Sequence, residues 1–133
     1  MHVQEMINAH PDVQGDVTNR LLRCIEECYN CAQTCTACAD ACLAEPSVDM
    51  LRLCIRLNLD CADICAATGK VASRFTGRNA EVMRAMIQAC EQACRVCGEE
   101  CRKHASEHEH CRICAGACMS CADACREAVA EVH

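Results

Sequence analysis

Along four stretches of this chain the non-polar positions recur three and four residues apart, with Asp, Glu, Arg, Gln and Thr mostly between them. That period is helical, because residues three and four apart share one face. The first face reads Cys24, Cys28, Cys31, Cys35, Cys38, Cys42, and the last reads Cys111, Cys114, Cys118, Cys121, Cys125. The third stretch carries Cys90, Cys94, Cys97 and Cys101; the second carries Cys54, Cys61 and Cys65, with Asn58 where another cysteine would fall. These are internal repeats. Cys28 to Cys42 superimposes without a gap on Cys111 to Cys125, and each unit ends in a similar pentad such as Cys38-Ala-Asp-Ala-Cys42 or Cys121-Ala-Asp-Ala-Cys125. Of twenty aligned seam positions, seventeen are cysteine and the others are Leu51, Asn58 and Ile87. In a bundle these inward positions normally hold Leu, Ile and Val.

The stretches predict four helices with short links. Ala44-Glu45-Pro46-Ser47 separates the first two, with Pro46 near a first helical position and Asp49 in the opening turn. Thr76-Gly77 offers a glycine C-cap before Asn79 caps the third helix. Ser106-Glu107-His108-Glu109 reads as a capping box, with Ser106 at N-cap and Glu109 at N3. Short links make consecutive helices antiparallel neighbours. The expected fold is therefore all-α: an antiparallel up-down-up-down four-helix bundle. Residues 2–9 are expected to add a short N-terminal helix, ended by Pro11. At 133 residues the chain is read as one domain spanning 1–133.

Composition changes the picture of the core. Eighteen residues are cysteine, while Tyr29 and Phe75 are the only aromatics. An ordinary bundle fills its interior with aromatic and branched aliphatic side chains, so something else must supply that volume. A thiol core with no further purpose would be thin and oxidisable, and Leu or Ala would serve better. The net charge of −6 and scattered Lys and Arg give no nucleic-acid footprint and no basic membrane face. No stretch approaches the ~18 apolar residues of a membrane span. The first twelve residues lack a basic start and an apolar run, so no export signal is expected and the chain is expected to be cytoplasmic. In that compartment thiols stay reduced, and dense cysteine points to metal rather than to a disulfide framework.

Thiolates select Cu(I), zinc or iron–sulfur clusters. No ferredoxin-like cysteine run is present. Each tetrathiolate zinc site would bury about two uncompensated charges, and the alanine-rich gaps offer no donors to answer them. Cu(I) accepts two or three thiolates, and a thiolate can bridge two coppers. Metal and sulfur then balance roughly one to one, leaving a neutral column about 27 Å long from Cys24 to Cys42. Charge and packing both favour copper. A zinc reservoir of metallothionein-like role is the alternative. A copper-responsive DNA-binding regulator would need a basic face, and no Ser/His/Asp set marks an enzyme.

With its C-x-x-C-x-x-x-C pattern on three helices and Asn58-x-x-Cys61-x-x-x-Cys65 on the second, the whole chain resembles the bacterial copper storage proteins, and among them the cytosolic branch. That resemblance implies a cysteine-lined bundle, assembled as a homotetramer, that stores many Cu(I) ions and does not catalyse. Exchange partners would be a copper chaperone or a copper-requiring recipient. Asn58 departs from an all-cysteine stripe and is carried as a candidate ligand with the eighteen cysteines.

Antiparallel order gathers the first and third links at one end, with Cys42, Met50, Cys54, Cys101, His104, His108, His110 and Cys111. His104 extends the third cysteine stripe by three residues, and His108 lies three before Cys111. The opposite end gathers Leu21, Val71, Phe75, Met83, Ile87 and Val129. The histidine end reads as the entrance, with His104, His108 and His110 as candidate copper ligands. His2, His10 and His133 have no supporting context. The second helix is apolar on more than one face, through Leu51, Leu53, Ile55, Leu57, Leu59 and Ile64, which suggests a subunit interface.

Overall fold

A computed structural model of the chain describes residues 1–13 and 17–132. His133 lies outside the described residues. In chain order the elements are α1 (Val3–Asn8), α2 (Asn19–Leu43), a 3-10 turn (Val48–Leu51), α3 (Arg52–Ser73), α4 (Ala80–Lys103) and α5 (Glu109–Val129). Each long helix follows a stripe of inward residues, and alanine in the intervening positions favours helix.

Thr18 starts α2: its backbone is extended and its Oγ1 accepts a hydrogen bond from the Leu21 amide at 3.2 Å. Three expected boundaries differ. Pro46 does not open α3; it sits in a tight turn ahead of the 3-10 segment, in which Asp49 pairs with Arg52 at 2.7 Å. Gly77 is not a C-cap, because α3 already closes at Arg74, whose amide bonds to the Val71 carbonyl at 3.1 Å. Gly77 instead turns the following link, at φ 81°, where a side chain would be strained. The expected capping box is absent. The chain still turns at Ser106, since the Glu107 and His108 amides both bond to the His104 carbonyl. The N-cap of α5 is therefore His108, and the Glu109 carboxylate is taken by Arg112.

α2 packs beside α3 and α5, and α4 closes the ring between the same two helices. Sulfur pairings between neighbouring helices show the directions. Cys24 near the start of α2 lies 3.7 Å from Cys125 near the end of α5. Cys42 at the end of α2 lies 4.0 Å from Cys111 at the start of α5. Cys54 early in α3 lies 3.6 Å from Cys101 late in α4. These are antiparallel contacts, and the bundle runs up-down-up-down as the short links require.

Two glycines set how closely helices approach. A Cβ on Gly69 of α3 would stand 3.1 Å from the Tyr29 ring of α2, and one on Gly98 of α4 would stand 2.9 Å from Met119 Sδ of α5.

The far end is closed by hydrocarbon. Leu21, Ile25, Ala72, Met83, Ile87 and Ala128 are buried there, with Val71, Phe75 and Val129 packed around them. Two elements add to the expected plug. Ile7 of α1 is buried against the core, and Val132 is buried beyond α5. Arg84 fixes the latter by donating from Nε and a terminal nitrogen to the Val132 carbonyl, each at 3.1 Å. On the outside, Leu53 and Leu59 of α3 and Val96 of α4 remain exposed.

Candidate metal centre

All eighteen cysteines point inward, are buried, and are free thiols. Helical spacing puts each at a known level, and the four-helix ring brings levels from different helices together. Neighbouring sulfurs stand 3.5–4.0 Å apart, as in Cys65–Cys94 at 3.5 Å, Cys35–Cys118 at 3.6 Å and Cys31–Cys94 at 4.0 Å. A disulfide needs ~2.05 Å, so these are separate sulfurs. With bonds near the ~2.3 Å of metal thiolates, three sulfurs around one ion stand about 4 Å apart. The core already has that spacing.

The sulfurs group in overlapping sets. Cys28, Cys90, Cys121 and Cys125 form one; Cys31, Cys65, Cys94 and Cys121 the next; then Cys31, Cys35, Cys61 and Cys118; then Cys35, Cys97, Cys114 and Cys118. Within each set the ligand atoms lie within 4.8 Å of one another. Cys121, Cys31, Cys35 and Cys118 each serve two sets, so the column is continuous. Further along, Cys38, Cys42 and Cys111 group with His110.

Asn58 occupies the gap in the α3 stripe. It is fully buried, and its Oδ1 accepts from Cys97 at 3.0 Å, Cys114 at 3.3 Å and Cys101 at 3.4 Å. Its Nδ2 donates to Cys54 Sγ at 3.8 Å. A buried amide is satisfied here only by thiols, so it fixes the sulfurs at that level in position.

Proton affinities alternate along the column. Cys31, Cys61, Cys90 and Cys114 are held below the ordinary thiol range, chiefly through side-chain hydrogen bonding with Cys118, Cys118, Cys121 and Cys101 respectively. Cys28, Cys65 and Cys94 are pushed up, chiefly through Cys121, and Cys118 through Cys114, with burial adding to each. Protons are thus shared between neighbours. At the histidine end the balance differs: burial raises Cys42 to about 11 and also raises Cys111. Cys54 is drawn down to about 3, chiefly by hydrogen bonds from Cys101 and Cys38.

The three candidate histidines divide. His110, although off the cysteine stripe, turns Nδ1 to Cys38 at 3.5 Å, Cys111 at 3.6 Å and Cys42 at 3.9 Å. His104, on the stripe, directs Nε2 to Glu100 at 3.0 Å. His108 directs Nδ1 to Glu45 at 2.8 Å and stacks on His110 with ring centres 5.5 Å apart. Met50 points away, 76% exposed. Sequence reasoning missed both carboxylates. Glu100 is four residues before His104, a helical spacing that signals the pair; Glu45 lies in another link and leaves no sequence signal. His2 and His10 make only local surface contacts, to Glu5 and to the Asp12 amide.

Residues 17–130 match the family model described as copper storage protein. Among solved structures, the chain is similar to the copper storage protein Ccsp from Streptomyces lividans loaded with 10 copper equivalents, at 54% identity and TM-score 0.92, covering 96% of this chain and 98% of that one. A second structure from Streptomyces lividans, a cytosolic copper storage protein carrying five coppers, is 59% identical with TM-score 0.81, over 84% of this chain and 92% of that one. The Cu(I)-bound copper storage protein BsCsp3 of Bacillus subtilis is 38% identical with TM-score 0.73, over 82% of this chain and 97% of that one.

Proposed function

The chain belongs to the copper storage protein family, and from that premise we propose that its thiol column is a Cu(I) store in a cytosolic setting. The observation that carries this reading is the sharing of Cys31, Cys35, Cys118 and Cys121 between successive four-sulfur sets. Zinc prefers closed, separate sites of four ligands. Shared sulfurs suit an ion of low coordination number whose thiolates bridge, and bridging removes the buried charge that separate zinc sites would leave. A zinc reservoir has no support from the relatives, which carry copper.

In this reading all eighteen cysteines take copper and the Asn58 carbonyl oxygen serves the level where the α3 stripe lacks a cysteine. His110 adds an imidazole through Nδ1. His104 and His108 are exchange ligands, each with one ring nitrogen oriented by a carboxylate and the other left for copper. The 133 residues act as a single domain without a catalytic role. A homotetramer is supported by Leu53, Leu59 and Val96, whose exposed apolar surface a neighbouring copy would cover. Copper would come from, or pass to, a chaperone or a copper-requiring protein. No helix among the described residues is long and apolar enough to cross a membrane.

Anaerobic titration of the reduced protein with Cu(I) and with Zn(II), against a competing chelator, tests the assignment. The expected result is tight uptake of roughly one Cu(I) per thiolate. Saturation by roughly four or five zinc ions, with no tighter copper uptake, would favour the zinc reservoir.

A further inference from the structure

Of the eighteen cysteines, seventeen have no exposed surface, and Cys38 alone is open, at 2%. Small as it is, that opening is not at the end of the bundle axis. The sulfurs nearest the axial end, Cys42, Cys54, Cys101 and Cys111, are wholly screened, as is Leu51 beside them. The links there are tied by the Glu45–His108 and Glu100–His104 pairs. Cys38 opens sideways, into a groove between α2 and α5 of about 300 Å³. Gln33, Ala37, Ala41 and Ile113 form its walls, and Cys38 and His110 lie at its floor. His110 Nε2 is buried without a hydrogen-bond partner among the described residues, and the Glu45 carboxylate stands 3.7 Å from it. A second groove of about 310 Å³, between α3 and α4, reaches Cys61, but that sulfur is fully covered and no imidazole lines the groove.

We propose that copper passes into and out of the column through this lateral window, with Cys38 and His110 as its first protein ligands. The inference rests on the copper-storage reading and narrows the entrance from the whole histidine end to one groove. Its size fits a Cu(I) complex of a small thiol, since ligand sites begin at about 300 Å³. The exchange is a ligand substitution. The donor's sulfur–copper bond breaks, a Cys38 sulfur–copper bond forms, and the Cys38 thiol proton leaves with the donor thiolate. Copper stays Cu(I) throughout, and His110 Nδ1, 3.5 Å from the Cys38 sulfur, can hold the ion in transit toward Cys42 and Cys111.

The test varies the groove wall without touching a ligand. Ala37 is exposed, so Ala37→Leu fills the groove with little cost to the helix, while Ile113→Ala widens it. Ala105→Leu places the same bulk in the axial link. Reduced protein is loaded anaerobically with Cu(I) presented as its glutathione complex, and copper is removed with excess disulfonated bathocuproine. Ala37→Leu should slow both directions at least tenfold, Ile113→Ala should quicken them, and Ala105→Leu should match the parent, all at unchanged capacity. Unchanged rates in Ala37→Leu, or slowing by Ala105→Leu as large, would overturn the window while leaving the store intact. Failure of the parent protein to take up Cu(I) would overturn the storage reading and the window together.

Discussion

The two ends of this bundle are built on the same four helices and do opposite things. At one, Leu21, Ile25, Met83, Ile87 and Val132 are buried side by side, and polar groups there are tied off, Thr68 to the Ile64 carbonyl at 2.7 Å and Arg84 to the Val132 carbonyl. At the other, three imidazoles and two carboxylates gather, and His110 among them faces the last thiols. The helices between them carry one repeated cysteine pattern. The polarity of the molecule therefore comes from the few residues beyond the repeat. A store needs a wall at one end and exchangeable ligands at the other, and here these are separate sets of residues. Each can be altered without the other.

The largest effect is expected in neither end but in the column joining them. Replacing Cys35, Cys61, Cys94 and Cys118 together with alanine removes two sulfurs shared by successive sets, Cys35 and Cys118, and two that touch across successive sets, Cys61 and Cys94 at 3.7 Å. Since each thiolate serves up to two coppers, uptake should fall by roughly four to eight ions per chain. Rates of loading should change little, because the groove and His110 are untouched. Anaerobic titration with a competing chelator measures both. Full capacity in this variant would mean that the column is not the store.

The hydrocarbon end should matter for folding rather than for copper. Ile87 replaces a cysteine in the α4 stripe and is fully buried. Ile87→Ala should cost about 2–5 kcal/mol of apoprotein stability by loss of burial and the cavity left behind. The reduced, metal-free parent should already be helical, since neutral thiols bury cheaply and this end needs no metal to pack. Far-UV circular dichroism with chemical denaturation reads both expectations. A random-coil signal for the parent apoprotein would contradict them, and bound copper should offset part of the Ile87→Ala loss because it binds only the folded chain.

The contrast between the ends was legible in the sequence to different depths. The stripe and its period gave the four helices, the inward thiols and the hydrocarbon residues, because period and polarity alone place a side chain on a helix face. Boundaries were less legible. Ser106 and Glu109 spell a capping box, yet the carbonyl of His104 holds the turn for two further amides, and the helix waits until Glu109. The histidines show the same limit. Stripe position favoured His104 as the residue nearest the thiols, whereas His110 faces three sulfurs because α5 starts late and leans it toward α2. Glu45, Ile7 and Val132 act through contacts between distant parts of the chain, and no local pattern announces such contacts.

The smallest expected effect also separates the ends, through protons. At the histidine end Cys42 is raised from 9.0 to about 11 and Cys111 is raised with it, burial being the first cause for both. Elsewhere raised and lowered thiols stand side by side, as Cys24, lowered to about 5 chiefly by its hydrogen bond with Cys125, stands beside raised Cys125, and they act in different windows, Cys24 adding stability as pH rises toward 9 and Cys125 losing it above 9. Cys42 and Cys111 both shift upward, and the lowered Cys54 beside them adds no slope above pH 9. Below pH 9 both remain protonated whether the chain is folded or not, and their neutral burial is undisturbed. Above pH 9 the unfolded chain gives up these protons while the folded one keeps them until about pH 11. Unfolding then gains, so the Tm of the reduced apoprotein should decline across that window. Copper removes the dependence, because a metal-bound sulfur has already lost its proton. The decline should therefore shrink in the loaded protein, and in apoprotein carrying Cys42→Ala and Cys111→Ala. Equal slopes in all three would place the alkaline transition elsewhere in the column and erase this difference between the ends.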